Sequence, residues 1–167
     1  MYSLTQINDD WQPTHYATLL FILKGEQVLL IRKKRGLGAG KINGPGGKRD
    51  PGETSLACAV REVTEELCVV PKAVEARGRV RFQFTDGYAL DVDIYIATEY
   101  EGTPTETAEA VPLWFDINQI PYDEMWADDR LWLARILRGE HVNGRFIFAG
   151  DEMLEHDISF DTGVNRH

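Results

Sequence analysis

Cysteine is scarce in this chain: two in 167 residues, Cys58 and Cys68. Ten positions apart on or beside one expected helix, they stand roughly 15 Å from each other along its axis. A disulfide needs Cα atoms within about 7 Å, so a disulfide-stapled fold is excluded and a reducing compartment, the cytoplasm, is expected. Long apolar runs are missing too. None approaches the ~18 residues of a membrane span, and the opening MYSLTQINDDWQPTH lacks the basic-then-apolar order of a secretory signal. No membrane partner is expected. Positive charge is in deficit: 18 Lys and Arg against 27 Asp and Glu leave a net charge of −9. Surfaces that grip nucleic-acid polymers depend on basic patches, so no polymer partner is expected; a small anionic ligand neutralised locally remains admissible. No repeat, low-complexity linker or composition break divides the chain. One domain over residues 1–167 follows, with a core at about 16–160 and flexible ends, the polar residues 161–167 frayed.

What the chain does have is a local concentration of acid. Residues 47–69 read GKRDPGETSLACAVREVTEELCV. Leu56, Ala57, Val60, Val63 and Leu67 recur at helical spacing, and Thr54 or Ser55 can cap the start after the turn-forming Asp50-Pro51-Gly52. In that helix Glu62, Glu65 and Glu66 fall on one face, away from the tight stripe of Leu56, Val60, Val63 and Leu67. Read this way, no cation stands at helical reach on the acidic side. Three such carboxylates repel one another unless a divalent cation sits among them. A merely solvated charged face is the plain alternative.

Elsewhere the pattern is mostly β. Tyr16–Leu23 and Gln27–Lys33 form a hairpin through Lys24-Gly25-Glu26. A glycine-rich loop runs from Arg35 to Gly52. Arg79–Thr85 alternates strictly, with Val80, Phe82 and Phe84 on one face, and Leu90–Thr98 alternates again after the turn Asp86-Gly87. Val111–Phe115 is a short strand. Asp128-Asp129 opens a second helix, Arg130–Leu137, stopped by Gly139. Arg145–Phe148 and Met153–Phe160 close the chain as a hairpin. Strands around two helices imply an α+β class in layers.

Gly47, Glu53, Arg61, Glu62, Val63, Glu65, Glu66 and Val69 match in register the pattern G-x5-E-x7-R-E-U-x-E-E-x-G-U, with U aliphatic. The chain thus resembles the Nudix hydrolases. One position departs: Cys68 stands where the pattern has its last Gly, just past the helix, where a left-handed residue is common. Lys33–Gly44, Gly102-Thr103-Pro104, Trp114-Phe115, Gln119-Ile120-Pro121 and Glu124–Asp129 resemble, in the same order, segments of the animal branch of that family that hydrolyses oxidised purine nucleoside triphosphates.

The resemblance implies an α/β/α sandwich with a mixed sheet, and hydrolysis of a nucleoside triphosphate of the 8-oxo-dGTP type to the monophosphate and pyrophosphate, a sanitisation of the nucleotide pool. Within the same fold, ADP-ribose, a dinucleoside polyphosphate or an RNA 5′ end are alternative substrates, and a non-catalytic nucleotide sensor is a further one. The implied cofactor is Mg²⁺, with Mn²⁺ as an alternative, held by Glu62, Glu65, Glu66, the Gly46 carbonyl and Glu109. Glu65 or Glu66 is the candidate base. Glu53 and Arg61 belong to the catalytic motif as a pair that fixes the loop on the helix and orients Glu62. Lys33 and Lys48 either meet phosphate or are simply solvated, and Gly46 and Gly47 count among the substrate-binding residues. Thr18, Asn43, Trp126, Asp128 and Asp129 face the nucleoside, Trp126 as the stacking ring and the two aspartates as a pair that shares a proton. Without the resemblance Asp128 and Asp129 are simply helix-capping charges. Phe82, Phe84, Leu90, Trp132 and Phe148 line the base pocket or pack the core. Pro45 replaces an aromatic of the animal branch and so bears on the shape of the substrate pocket.

Overall fold

The computed structural model describes residues 2–162. The elements run β1 His15–Lys24, β2 Gln27–Lys33, β3 Ile42–Asn43, β4 Gly46–Lys48, α1 Ser55–Leu67, β5 Val69–Phe84, β6 Ala89–Gly102, β7 Ala110–Asp116, α2 Asp129–Leu137, β8 His141–Ala149 and β9 Glu152–Asp161. A 3₁₀ turn spans Leu4–Gln6 and another Tyr122–Glu124. The sheet runs β3-β2-β1-β6-β5-β8-β9, with β4 also on β1 and β7 on β2. The pairs β1/β6 and β5/β8 are parallel and the rest antiparallel, so the sheet is mixed, as the α/β/α sandwich requires.

The central strands read as continuous apolar runs because both faces are covered. Leu20, Ile22, Leu29 and Ile31 pack under α1 with Ala59, Val63 and Leu67. Phe21, Val28, Leu30, Val80 and Phe146 point the other way, to Trp132, Leu133 and Ile136 of α2. One edge of β1 is divided: β2 pairs with it at Ile22–Lys24, while Ala17–Leu19 pairs with β4. The two strands splay, and the glycine-rich segment enters the gap. Two short strands therefore lie within the stretch read from sequence as one loop.

The helix α1 is where expected, capped by Thr54, whose Oγ1 accepts from the Ala57 N–H at 3.1 Å. Its buried face is not the expected one. Leu56 is 48 % exposed and Val60 only partly buried, whereas Cys58, Ala59, Val63, Leu67 and Glu66 are buried. Small residues let the helix approach the sheet closely, and the rotation carries Glu66 inward instead of leaving it on the far side. Cys68 ends the helix at φ 63, ψ 29, the left-handed conformation that the pattern's glycine would adopt without strain.

The strand β5 begins ten residues before the expected Arg79. Pro71, Ala73 at φ 51 and a register shift between Ala76 and Gly78 hide its first half from any alternation. Residues 2–14, expected to be a flexible end, are fastened to the sheet. Ile7 is buried, Arg145 Nη1 donates to the Leu4 and Ile7 carbonyls at 3.1 and 3.3 Å, and Trp11 Nε1 donates to Gln83 Oε1 at 2.9 Å. The frayed end expected at 161–167 lies largely outside the described residues; Asp161 still belongs to β9.

Candidate active site

The motif's two halves are joined by Arg61. Its Nε donates to Glu53 Oε2 at 2.6 Å and its Nη2 to Glu53 Oε1 at 2.9 Å, a two-point grip across the turn. The same Nη2 donates to the Lys48 carbonyl at 3.2 Å. Nη1 donates to Glu62 at 2.9 Å and to both oxygens of Glu65 at 3.2 Å. The expectation of an acidic face without a cation is therefore corrected: a guanidinium reaches around the helix from the position next to Glu62. Glu53, gripped by Arg61 and capped by the Asp50 N–H, holds its carboxyl down at about 2.

Glu66 lies deeper, 4 % exposed. It accepts from the Gly46 N–H at 2.8 Å, so Gly46 meets the acids through its amide. Burial pushes its carboxyl up to about 8; the neighbouring charges of Glu62 and Glu109 add to this, while the Gly46 N–H and Lys33 pull against it. Glu62 is also raised by burial, against the pull of Arg61. The carboxylates of Glu62, Glu66 and Glu109 all come within 4.8 Å of one another. Glu65 stays outside, half exposed on Arg61. Glu109 arrives from the segment just before β7, with Arg35 Nη2 at 3.3 Å. Lys33, from the end of β2, donates to the Leu37 carbonyl at 2.7 Å; burial lowers its ammonium and the three acids raise it. Three crowded carboxylates, two of them carrying raised proton affinity, form an oxygen-donor set that a divalent cation fits.

Two glycines make this packing possible. A Cβ on Gly46 would overlap the Thr18 carbonyl oxygen, and one on Gly47 would overlap the Glu62 carboxyl group. Thr18 itself is buried, its Oγ1 3.4 Å from Cys58 Sγ.

From Lys33, Gly46 and Gly47 a cavity of about 270 Å³ opens away from the acids. Thr18, Asn43, Lys48, Phe82, Phe84, Leu90, Trp126, Asp128 and Asp129 line it as well. Pro45 does not: it is buried behind the wall, its carbonyl accepting from the Leu20 N–H at 2.8 Å. Trp132 and Phe148 are core residues, Trp132 donating to Asp128 Oδ2 at 2.9 Å and Phe148 packed edge-on to Trp126 at 5.7 Å. Leu19, Leu37, Tyr88 and Val92 line the cavity without having been foreseen. Leu37 was hidden in the glycine loop, and Tyr88, two residues before Leu90 and just past a turn, carried a period-2 signal that could have placed it on the same wall.

The two aspartates do not cap α2 with their side chains. Both are buried, Asp128 at 1 % exposure, and burial raises both carboxyls, Asp129 further because Asp128 stands beside it. Among the described residues Asp128 Oδ1 has no hydrogen-bond partner. A buried acceptor without a donor is costly, and the residue that carries it is among those lining the cavity. Asn43 points its amide Nδ2 to the Lys41 carbonyl at 3.0 Å.

A family model described as the NUDIX domain matches residues 13–136. The chain is 43 % identical over 143 residues to the oxidized purine nucleoside triphosphate hydrolase of Danio rerio, covering 84 % of this chain and 92 % of that one. To the protein of the same name from Mus musculus it is 39 % identical over 138 residues, 82 % and 88 % of the two chains. Among solved structures it superposes on the mutator MutT protein of Bacillus halodurans with a TM-score of 0.78 at 26 % identity, over 86 % of this chain and 97 % of that one.

Proposed function

The chain belongs to the Nudix family of hydrolases, and from that premise we propose that it hydrolyses oxidised purine nucleoside triphosphates of the 8-oxo-dGTP type to the monophosphate and pyrophosphate. One observation carries the substrate class: a cavity lined by Trp126 and the buried pair Asp128 and Asp129 is also lined by Gly46 and Gly47, and these two glycines lie against Glu66 and Glu62 of the acidic cluster. Asp128, on the cavity wall and with one carboxyl oxygen lacking a hydrogen-bond partner among the described residues, accepts from a purine ring N–H or amino group. Asp129, whose carboxyl is raised by burial and by the charge of Asp128 beside it, is assigned the shared proton and donates it to a base oxygen. Such a pair reads an edge with both a donor and an acceptor, as an oxidised purine presents. Trp126 gives the flat face, Asn43 and Thr18 flank the nucleoside, and Lys33, Lys48 and the Gly46-Gly47 backbone meet the phosphates.

Nudix hydrolases generally need a divalent metal ion; we assign Mg²⁺, or Mn²⁺ in its place, to Glu62, Glu66 and Glu109, where it supplies charge neutralisation for the polyphosphate and a water of lowered pKa. In hydrolysis the water oxygen bonds to phosphorus as the α–β anhydride opens and pyrophosphate leaves. Glu65, outside the ligand cluster and with its carboxylate hydrogen-bonded to Arg61, takes the proton. Arg61 and Glu53 hold the loop and keep Glu62 and Glu65 aimed. We place this activity in the cytoplasm, as sanitisation of the nucleotide pool; the two free cysteines support that compartment.

The test is a panel of oxidised and ordinary nucleoside triphosphates and ADP-ribose, assayed with each metal for pyrophosphate and orthophosphate. Pyrophosphate from oxidised purines at the highest kcat/KM is expected. Orthophosphate as the sole product, or turnover of ADP-ribose alone, overturns the reading.

A further inference from the structure

The stacking ring of the base pocket is held from outside the pocket. Residues 34–41 fold back on themselves: the Gly40 N–H donates to the Lys33 carbonyl at 2.9 Å, the Lys41 N–H to the Gly38 carbonyl at 2.9 Å, and the Lys33 N–H to the Lys41 carbonyl at 3.1 Å. Gly38, at φ 81, lies directly on the indole; a Cβ there would sit 2.8 Å from Trp126 Nε1 and 3.1 Å from Asn43 Oδ1. At the end of this loop Lys41 puts its Nζ 5.3 Å from the centroid of the Trp126 ring and 3.0 Å from Asp151 Oδ2. Asp151 stands in the turn between β8 and β9, and Phe148 of β8 abuts the same indole edge-on. The backbone of Lys41 serves the second base-facing residue, its carbonyl accepting from Asn43 Nδ2. Lys41 is absent from the walls of the cavity that Trp126 and Asn43 line.

We infer that Lys41, tethered by Asp151, is a positioning residue for purine binding: it latches the glycine loop to the β8–β9 turn and holds Trp126 and Asn43 in the geometry that receives the base. An exposed Lys–Asp pair contributes little by itself. Here the ammonium also lies over an aromatic ring, an attraction that grows as the cation loses water, and the Lys41 side chain is only 26 % exposed. An indole fixed before the ligand arrives has less rotamer freedom to lose on stacking, so the latch favours base affinity. It touches none of Glu62, Glu65, Glu66 or Glu109, so the chemical step does not depend on it.

This inference rests on the oxidised-purine reading of the cavity, and the experiment separates the two. KM and kcat for 8-oxo-dGTP, and Kd for 8-oxo-dGMP with the metal-free protein, are measured for wild type, Lys41→Met, Lys41→Arg and Asp151→Asn. Methionine keeps an aliphatic stem and removes the charge; arginine keeps the charge and stacks on the indole. KM and Kd are expected to rise about three- to tenfold in Lys41→Met and Asp151→Asn, with kcat within about twofold of wild type, and Lys41→Arg is expected to restore both. Unchanged KM and Kd in Lys41→Met, a fall confined to kcat, or no rescue by arginine overturns the latch while wild-type turnover leaves the substrate reading standing. A wild-type protein that neither binds 8-oxo-dGMP nor hydrolyses 8-oxo-dGTP overturns both. A Lys41→Met protein that fails to fold is replaced by Asp151→Asn, a surface change that breaks the same tether.

Discussion

Glu66 is the side chain on which the assembly of the site turns. It is the most buried of the clustered glutamates, it takes the Gly46 N–H, and it carries a carboxyl raised to about 8. The sign of the linkage follows. Below its usual range Glu66 is protonated in both folded and unfolded chains; between about 4.5 and 8 the unfolded chain has lost its proton and the folded one keeps it. Stability of the metal-free protein therefore falls as pH rises through that window and levels off above it. Glu62, Asp128 and Asp129, all raised, act in the same direction. Glu53, lowered to about 2 by Arg61, acts oppositely and only in strong acid, where its contribution is lost as pH falls through that value. Thermal melting of the metal-free protein from pH 5 to 9 is expected to show Tm declining to about pH 8, with a shallower slope in Glu66→Gln. A Tm that climbs steadily over that range contradicts the burial of these acids. Divalent binding must displace the Glu66 proton, so calorimetry in buffers of different ionisation enthalpy is expected to register proton release near pH 7. Glu65→Gln is expected to keep metal affinity and lose at least 10²-fold in kcat; retained kcat sinks its role as proton acceptor.

At the scale of elements, the glycine-rich strand β4 and the helix α1 depend on each other. The helix was legible in the sequence because its signals are local: a capping threonine, helical spacing and a motif in register. Its rotation was not. Leu56 and Val60 look more apolar than Cys58 and Ala59, yet the close approach to the sheet selects the small residues. That same rotation buries Glu66 and leaves Glu65 on Arg61, which no periodicity argument could separate. Gly47→Ala tests the fit. The added methyl group meets only the end of a flexible carboxylate, so the fold is expected to survive and kcat to fall more than tenfold as Glu62 is displaced. Wild-type kcat in a folded Gly47→Ala protein contradicts the packing. At the helix end, Cys68→Gly is expected to raise stability by about 1 kcal/mol, since it relieves a left-handed residue; denaturant unfolding measures it, and a loss of stability refutes the strain.

For the whole molecule, the sheet brings together what the sequence holds apart. Glu109 from before β7, Lys33 from β2 and Trp126 with the two aspartates from the start of α2 meet around the gap between β1 and β2. Their residue types hinted at chemistry, but alone the two aspartates read as helix-capping charges. Only the ordered resemblance to a family tied them into one site, and it could not reveal Tyr88 and Leu37 on the wall or place Pro45 behind it. Nor did the polar opening residues signal that Ile7, Trp11 and Arg145 bind them to the sheet. The first half of β5 escaped notice because a bulge and a left-handed alanine break its alternation. The most direct test of the site as a metal-dependent diphosphatase is hydrolysis of 8-oxo-dGTP by wild type and Glu66→Gln with and without Mg²⁺, scoring pyrophosphate. Wild type is expected to release pyrophosphate only with the ion, and Glu66→Gln to lose at least 10²-fold in kcat while remaining folded. Undiminished turnover in Glu66→Gln, or equal rates with and without the ion, contradicts it.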